Sequence, residues 1–327
     1  MSVRVFKARL TRRAFALVAA LGAVKANAAA YPERPITVAV PFGAGVAIEV
    51  LIRAVCEEAA RNLGQPIVVE NRSGALQRLP VLAVRRAAPD GYTLAVGTDS
   101  VHVAQPIIDP AFTMRAGKDY EPAAALIALP LVLVSNPGAP FRDLKGLIAH
   151  AKANPGKLNI AVPTGSTAHF AALLLMEVAG IALAAVPYKD QASSLPDLMS
   201  GRVDLTVSGA TVKGSVEAGK LNALAVMTAN RWSAFPGVPT LKELGVDVDV
   251  GAWFSLVAPP GTPPDVLAKL NTAFNQALKS APVVRRMGEL HLSPVGNDLS
   301  PAQIAAMVDS ETALWTPVLR KSAVTLQ

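Results

Sequence analysis

Ile36-Thr37-Val38-Ala39-Val40-Pro41-Phe42-Gly43-Ala44-Gly45-Val46-Ala47 opens the stretch that decides the fold, and residues 48–64 complete it. Five apolar-rich residues of strand length are followed by a glycine-containing loop. Ile48, Leu51, Ile52, Val55, Cys56, Ala59 and Leu63 then recur at helical spacing, and Gly64 stops the run. The stretch reads as strand Ile36–Val40, loop, helix Ala47–Leu63, and a second strand follows at Ile67–Glu70. A strand feeding a helix feeding a strand is the unit of a parallel sheet covered by helices. In such sheets ligands gather where strands end and helices begin.

The same alternation continues outward. Strands are predicted at Thr93–Val96, Leu131–Ser135, Asn159–Val162, Ala185–Val186, Leu205–Val207 and Ala223–Val226. Helices are predicted at Leu79–Ala88, Asp143–Ala153, His169–Ala179 and Ser193–Ser200. Pro264–Ser280, Ala281–Leu290 and Pro301–Lys321 read as further helices, with a short strand near Ser293–Val295. Two α/β blocks, roughly 31–130 and 131–250, precede a helical tail, with mostly parallel sheets expected.

Upstream, Arg4, Lys7 and Arg9 precede Thr11-Arg12-Arg13-Ala14-Phe15, an apolar run to Val24, and Ala26-Asn27-Ala28-Ala29-Ala30. A charged region, a short apolar region and an A-x-A site predict a secretory signal, too short to span a bilayer. The paired arginines are similar to a twin-arginine signal, and cleavage is expected near Ala28–Ala30, placing the mature protein in the periplasm. Residues 1–28 hold six of the 31 Lys+Arg and none of the 24 Asp+Glu, leaving 25 against 24 and a net charge of +1. The basic balance therefore belongs to the signal and argues against nucleic acid as a partner. Nothing in the sequence points to an oligomer, so a monomer is expected. The single cysteine, Cys56, excludes an intramolecular disulfide and reads as a core residue.

Strand-to-helix loops are the candidates for binding. The first is Pro41–Ala47, the second Asn71-Arg72-Ser73-Gly74-Ala75, the third Gly97-Thr98-Asp99-Ser100, and the fourth Pro163-Thr164-Gly165-Ser166-Thr167. Glycines let backbone approach a ligand, and amides at a helix start favour an anion. Turn chemistry and capping explain any one loop equally well; all four at equivalent strand ends strengthen the binding reading. Gly43-Ala44-Gly45, with the acid Glu70 ending the second strand, also outlines a dinucleotide site, but Ile48 stands where the third glycine belongs. No G-x-S-x-G, H-E-x-x-H or C-x-x-C is present, and His102, His150, His169 and His291 are scattered, so neither catalytic residues nor a metal site nor a cofactor is expected. His169 could position a ligand, although capping or packing explains it better.

Short motifs in order along the chain carry a family resemblance. They include Tyr31-Pro32-Glu33-Arg34-Pro35-Ile36, Pro41-Phe42, Val68-Val69-Glu70-Asn71-Arg72, Pro89-Asp90-Gly91-Tyr92-Thr93-Leu94 and Val186-Pro187-Tyr188-Lys189. Pro236-Gly237-Val238-Pro239-Thr240, Trp253-Phe254 and Ala258-Pro259-Pro260-Gly261-Thr262-Pro263 complete them. The chain resembles the Bug receptors, the TctC-like periplasmic solute-binding proteins of tripartite tricarboxylate transporters. The resemblance implies a two-domain, type II periplasmic-binding fold that closes on a small carboxylate and serves a membrane permease or sensor. Domain 1 would comprise 31–131 and 253–327, domain 2 would comprise 132–252, and residues 1–30 the export signal. By position, Phe42, Gly43, Ala44, Gly45 and Ala47 would serve the ligand with Gly74 and Ala75 from domain 1. Thr164, Gly165, Ser166, Thr167, His169 and the Ser208–Thr211 loop would serve from domain 2.

The chain departs from the family pattern within these loops. Usual members carry Pro-Pro-Gly-Gly and then Asp after Pro-Phe; here stand Gly43-Ala44-Gly45-Val46 and Glu49. Leu76-Gln77-Arg78-Leu79-Pro80 replaces a glycine-rich stretch, and Asp190 follows Lys189 where glycine is usual. Arg78 is expected either to pair with a ligand carboxylate in the cleft or to lie solvated on a helix. Two further readings stand beside the receptor: an exported nucleotide-dependent oxidoreductase, and a receptor fold that senses or binds a partner without transport.

Overall fold

A computed structural model describes residues 31–296 and 298–321; the export signal expected at residues 1–30 lies outside the described residues. The chain builds two sheets. The first, ordered β11-β4-β10-β3-β1-β2, uses β1 (Ile36–Val40), β2 (Ile67–Asn71), β3 (Thr93–Thr98), β4 (Glu121–Pro130), β10 (Gly251–Ala258) and β11 (Ser293–Pro294). The second, ordered β7-β6-β8-β5-β9, uses β5 (Val132–Ser135), β6 (Asn159–Pro163), β7 (Ala184–Tyr188), β8 (Leu205–Ser208) and β9 (Asn222–Val226). The chain crosses between sheets at Leu131 and returns through residues 227–250.

The helices named below are α1 (Ala47–Leu63), α2 (Leu79–Val84), α3 (Leu144–Ala153), α4 (Thr167–Ala179), α5 (Gln191–Ser200), α6 (Pro264–Leu278), α7 (Ala281–Glu289) and α8 (Pro301–Lys321). In α1 the apolar stripe Leu51, Ile52, Val55, Cys56 and Ala59 is buried against Leu270, Ala273, Phe274 and Ala277 of α6. Gly64 ends α1 at φ 71°, a left-handed cap that glycine adopts without penalty, and its N–H bonds to Ala60 O at 2.9 Å. Helix α4 is apolar all round and buried from Thr167 to Leu175 because it lies between lobes. Asp143 caps α3 by accepting from Gly146 N at 2.7 Å, and Asp190 with Ser193 forms a reciprocal cap on α5.

One expectation is corrected. The sheets are mixed, not mostly parallel: β1–β2, β1–β3, β6–β7 and β6–β8 are parallel, whereas β10 runs antiparallel to β3 and β4, and β5 antiparallel to β8 and β9. The cause is the crossing. β4 continues almost straight into β5, so β5 enters the second sheet without a crossover helix and runs against the strands that have one. Strands β4 and β10 themselves, the longest pair of neighbours in the first sheet, are absent from the elements read off the sequence. Helix α8 packs against both sheets: Val308, Trp315 and Leu319 share a core cluster with Phe170, Leu174 and Leu133, and Lys321 pairs with Glu177 at 2.5 Å. It straps both sheets together. No helix among the described residues is long and apolar enough to cross a membrane.

Candidate functional site

The loop after β1 is clamped from behind. Glu49, 1% exposed, accepts from Gly45 N at 3.0 Å, from Asn71 Nδ2 at 3.0 Å and from Arg53 Nε. Asn71 Nδ2 also donates to Phe42 O at 3.0 Å, tying this loop to the end of β2. Burial pushes the Glu49 pKa up, but the Asn71, Gly45 and Arg53 donors outweigh it and hold the carboxyl below its usual range. The Gly45 amide is therefore engaged within the chain. Gly43, Ala44 and Ala47 stay exposed, and Phe42 packs edge-on against Phe254 with centroids 5.4 Å apart.

The loop after β2 is strained. Gly74 has φ 117°, and Ala75, Leu76 and Gln77 follow at 44°, 55° and 70°. Three successive non-glycine residues in the left-handed region cost roughly 1–2 kcal/mol each. Such a run needs something to hold it. Gln105, fully buried in the short helical turn Gln105–Ile108, donates Nε2 to Leu76 O at 2.9 Å. Arg78 is neither free in the cleft nor solvated on a helix. Its Nε donates to Gln105 Oε1 at 2.6 Å, its Nη1 to Asp109 Oδ2 at 2.8 Å, and its guanidinium lies 4.0 Å over the Phe112 ring. The carboxylate it pairs with belongs to this chain, because the turn after β3 delivers Gln105 and Asp109 beside it; Nη2 remains buried without a partner among the described residues. The Arg78 donor holds the Asp109 carboxyl below its usual range.

The loop after β3 meets the loop after β6. Ser100 Oγ donates to Gly165 O at 2.5 Å, and Thr167 Oγ1 donates to Asp99 Oδ2 at 2.6 Å. In the sequence Asp99 and Ser100 lie in the third candidate loop but are not singled out within it, and neither Gln105 nor Glu49 stands out as a site residue. Their long-range partners, Asn71 for Glu49, Leu76 for Gln105, Gly165 for Ser100 and Thr167 for Asp99, lie 22 to 68 residues away, beyond any local pattern. Burial pushes the Asp99 pKa up to about 7; the Thr167 hydroxyl opposes this and the Glu311 charge adds to it. Gly97 is required here by contact: a Cβ would lie 2.0 Å from His102 Nε2. His102 is wedged against Trp253, stacked at 5.7 Å, and burial drops its pKa to about 3.

In the second sheet Ser166 caps α4, accepting from His169 N at 3.3 Å, and Gly165 turns at φ 73°. His169 Nδ1 accepts from Gly165 N at 3.3 Å, and burial lowers its pKa to about 4, so the ring is a neutral support for the loop. Thr164 N bonds to Tyr188 O at 3.0 Å, and Ser208 Oγ lies 3.5 Å from Thr211 Oγ1. The loops after β1, β2, β3 and β6 are thus joined in series, through Asn71, Gln105, Ser100 and Asp99. The Gly45 and Gly165 amides are both taken within the chain, whereas the first turn of α4 presents the kind of backbone N–H groups that favour an anion without a lysine.

A cavity of about 640 Å³ lies elsewhere, between the crossing segments and α8, bordered by Asp249, Trp253, Glu311 and Trp315; of the loop residues above, Asp99 borders it. Among the described residues no group of three His, Cys, Asp or Glu could hold a metal. Glu70, the acid of the dinucleotide outline, is paired with Arg72 at 2.7 Å.

Comparison with known proteins gives one answer. The model of the tripartite tricarboxylate transporter family receptor matches residues 51–324. Protein BugT of Bordetella pertussis is 34% identical over 309 residues, covering 93% of this chain and 94% of its own. The malate-bound structure of MatC from Rhodopseudomonas palustris has a TM-score of 0.76 at 33% identity, covering 88% of this chain and all of the other. A second R. palustris protein, solved with adipate, has a TM-score of 0.78 at 31% identity, covering 90% of this chain and 99% of the other.

Proposed function

The chain belongs to the tripartite tricarboxylate transporter receptor family, whose members are periplasmic solute-binding receptors and not enzymes, and from that premise we propose what it captures and how. It takes a small carboxylate between its two lobes and hands it to a membrane permease or a sensor, as a monomer exported by residues 1–30. The lobes are 31–131 with 253–327, and 132–252. The observation that carries this reading is the meeting of loops from both sheets at Ser100–Gly165 and Asp99–Thr167. Each of these loops ends a strand, and α4 begins at one of them, so the closed contact gathers backbone donors around one small volume. Malate and adipate, bound by the structural neighbours, support a dicarboxylate of four to six carbons as the first ligand to test.

A thermal-shift screen of the mature protein against dicarboxylates, tricarboxylates, amino acids, aromatic acids and NAD(P) tests it. Ligand at 100 times Kd adds about 2.7 kcal/mol of stability. A shift with one carboxylate class supports the receptor reading. A shift with NAD(P) alone overturns it, and silence across the panel favours a receptor fold that binds a partner without transport.

A further inference from the structure

Gln105 joins two things that the proposed receptor must form together. It lies in no ligand loop and is fully buried. Its Nε2 donates both to Leu76 O at 2.9 Å and to Ser100 Oγ at 3.0 Å, while its Oε1 accepts from Arg78 Nε at 2.6 Å. The Ser100 hydroxyl, having accepted from Gln105, donates onward to Gly165 O in the other lobe at 2.5 Å. One side-chain amide therefore grips the left-handed turn Ala75–Gln77 and orients the hydroxyl that crosses between lobes. A hydroxyl has one proton; with Gln105 supplying the donor to its lone pair, that proton is directed at Gly165. Loss of the amide frees Ser100 to rotate and leaves the strained turn without its anchor, so both effects arise from one group.

We infer that Gln105 is a positioning residue for ligand capture, coupling the strained loop after β2 to closure of the two lobes through Ser100. The inference rests on the receptor reading for its meaning in binding, but its physical core, the coupling of Leu76 to Gly165, is readable without ligand.

Two variants test it, Gln105→Leu and Ser100→Ala, alone and combined, after circular dichroism has checked that each folds. In ligand-free protein, hydrogen exchange of the Gln77 and Arg78 amides, which bond to Gly74 O and Ala75 O, should accelerate in both single variants. Acceleration in Ser100→Ala is the informative result, because Ser100 touches neither amide. With malate or adipate, whichever shifts the wild type, each single variant should weaken binding about tenfold, chiefly through faster dissociation. The double variant should lose no more than one of them, since both break the same relay. Unchanged exchange at residues 77–78 in Ser100→Ala, or additive losses in the double variant, overturns the coupling. If the wild type binds no carboxylate, the receptor reading fails, and the exchange result still decides the relay. If Gln105→Leu does not fold, Gln105→Glu replaces it beside Ser100→Ala; the introduced carboxylate would keep the acceptor for Arg78 and lose the donor to Leu76.

Discussion

Replacing Glu49 by alanine should cost the fold about 3 kcal/mol and loosen the loop after β1. The magnitude comes from counting what the carboxylate holds. Gly45 N and Asn71 Nδ2 each reach it at 3.0 Å, and its side chain is 1% exposed. Hydrogen bonds to a buried charge are worth roughly 1.5–3 kcal/mol each, and part of that returns when Gly45, which is exposed, bonds to water instead. Arg53 adds little, because its side chain is 45% exposed and the pair is screened. Glu49→Gln keeps one acceptor and should cost about half as much. Unfolding in urea, followed by tryptophan fluorescence, measures both; with a slope of about 3 kcal/mol/M the alanine midpoint falls by about 1 M. The sign with pH is also fixed. The Glu49 pKa is depressed in the native state, so its contribution is present above the ordinary value of 4.5 and is lost as pH falls through the native one. The acid limb of the stability curve should therefore be flatter in Glu49→Gln. An alanine variant within about 0.5 kcal/mol of wild type, or a glutamine variant as damaged as alanine, refutes the clamp.

Asp99→Asn should gain on the wild type as pH rises. The native carboxyl, pushed up to about 7 from 3.8, holds its proton where the unfolded chain has lost it, so wild-type stability declines across that window, by up to about 4 kcal/mol; melting temperatures at pH 5 and pH 8 that run parallel in the two proteins would contradict this. Gly97→Ala puts a Cβ 2.0 Å from a His102 ring that Trp253 and Tyr120 confine, and should cost roughly 1–3 kcal/mol, read as a lowered Tm. Burial pushes the Cys56 thiol up to about 12, so iodoacetamide should label it in urea and leave the native protein untouched.

What could be read from the sequence follows the range of the forces involved. Helices α1 and α3 announce themselves because their periodicity and their caps (Gly64, Asp143) are local, α4 by its Ser166 cap and unbroken apolar run, and α8 matches its expected ends, Pro301–Lys321. Strands β4 and β10 do not. Both are buried on two faces, so they show no alternation, and β4 is Glu-Pro-Ala-Ala-Ala-Leu-Ile-Ala-Leu-Pro, poor in the branched residues that mark strands. They exist because β10 pairs with β3 and β4 across more than a hundred residues, and that pairing also makes the first sheet mixed. The site divides the same way. Glycines and capping hydroxyls placed the loops, but Arg78 looked available because Asp109 lies 31 residues on, and Gly45 looked available although Glu49, only four residues away, takes its amide. A sequence names the polar groups a loop possesses. The fold decides which of them are already satisfied: Glu49 takes the Gly45 amide, Gly74 O takes the Gln77 amide and Gln105 with Asp109 takes Arg78, so the proposed carboxylate would have to draw on what is left, such as the exposed turn at Gly43–Ala44 and the first turn of α4.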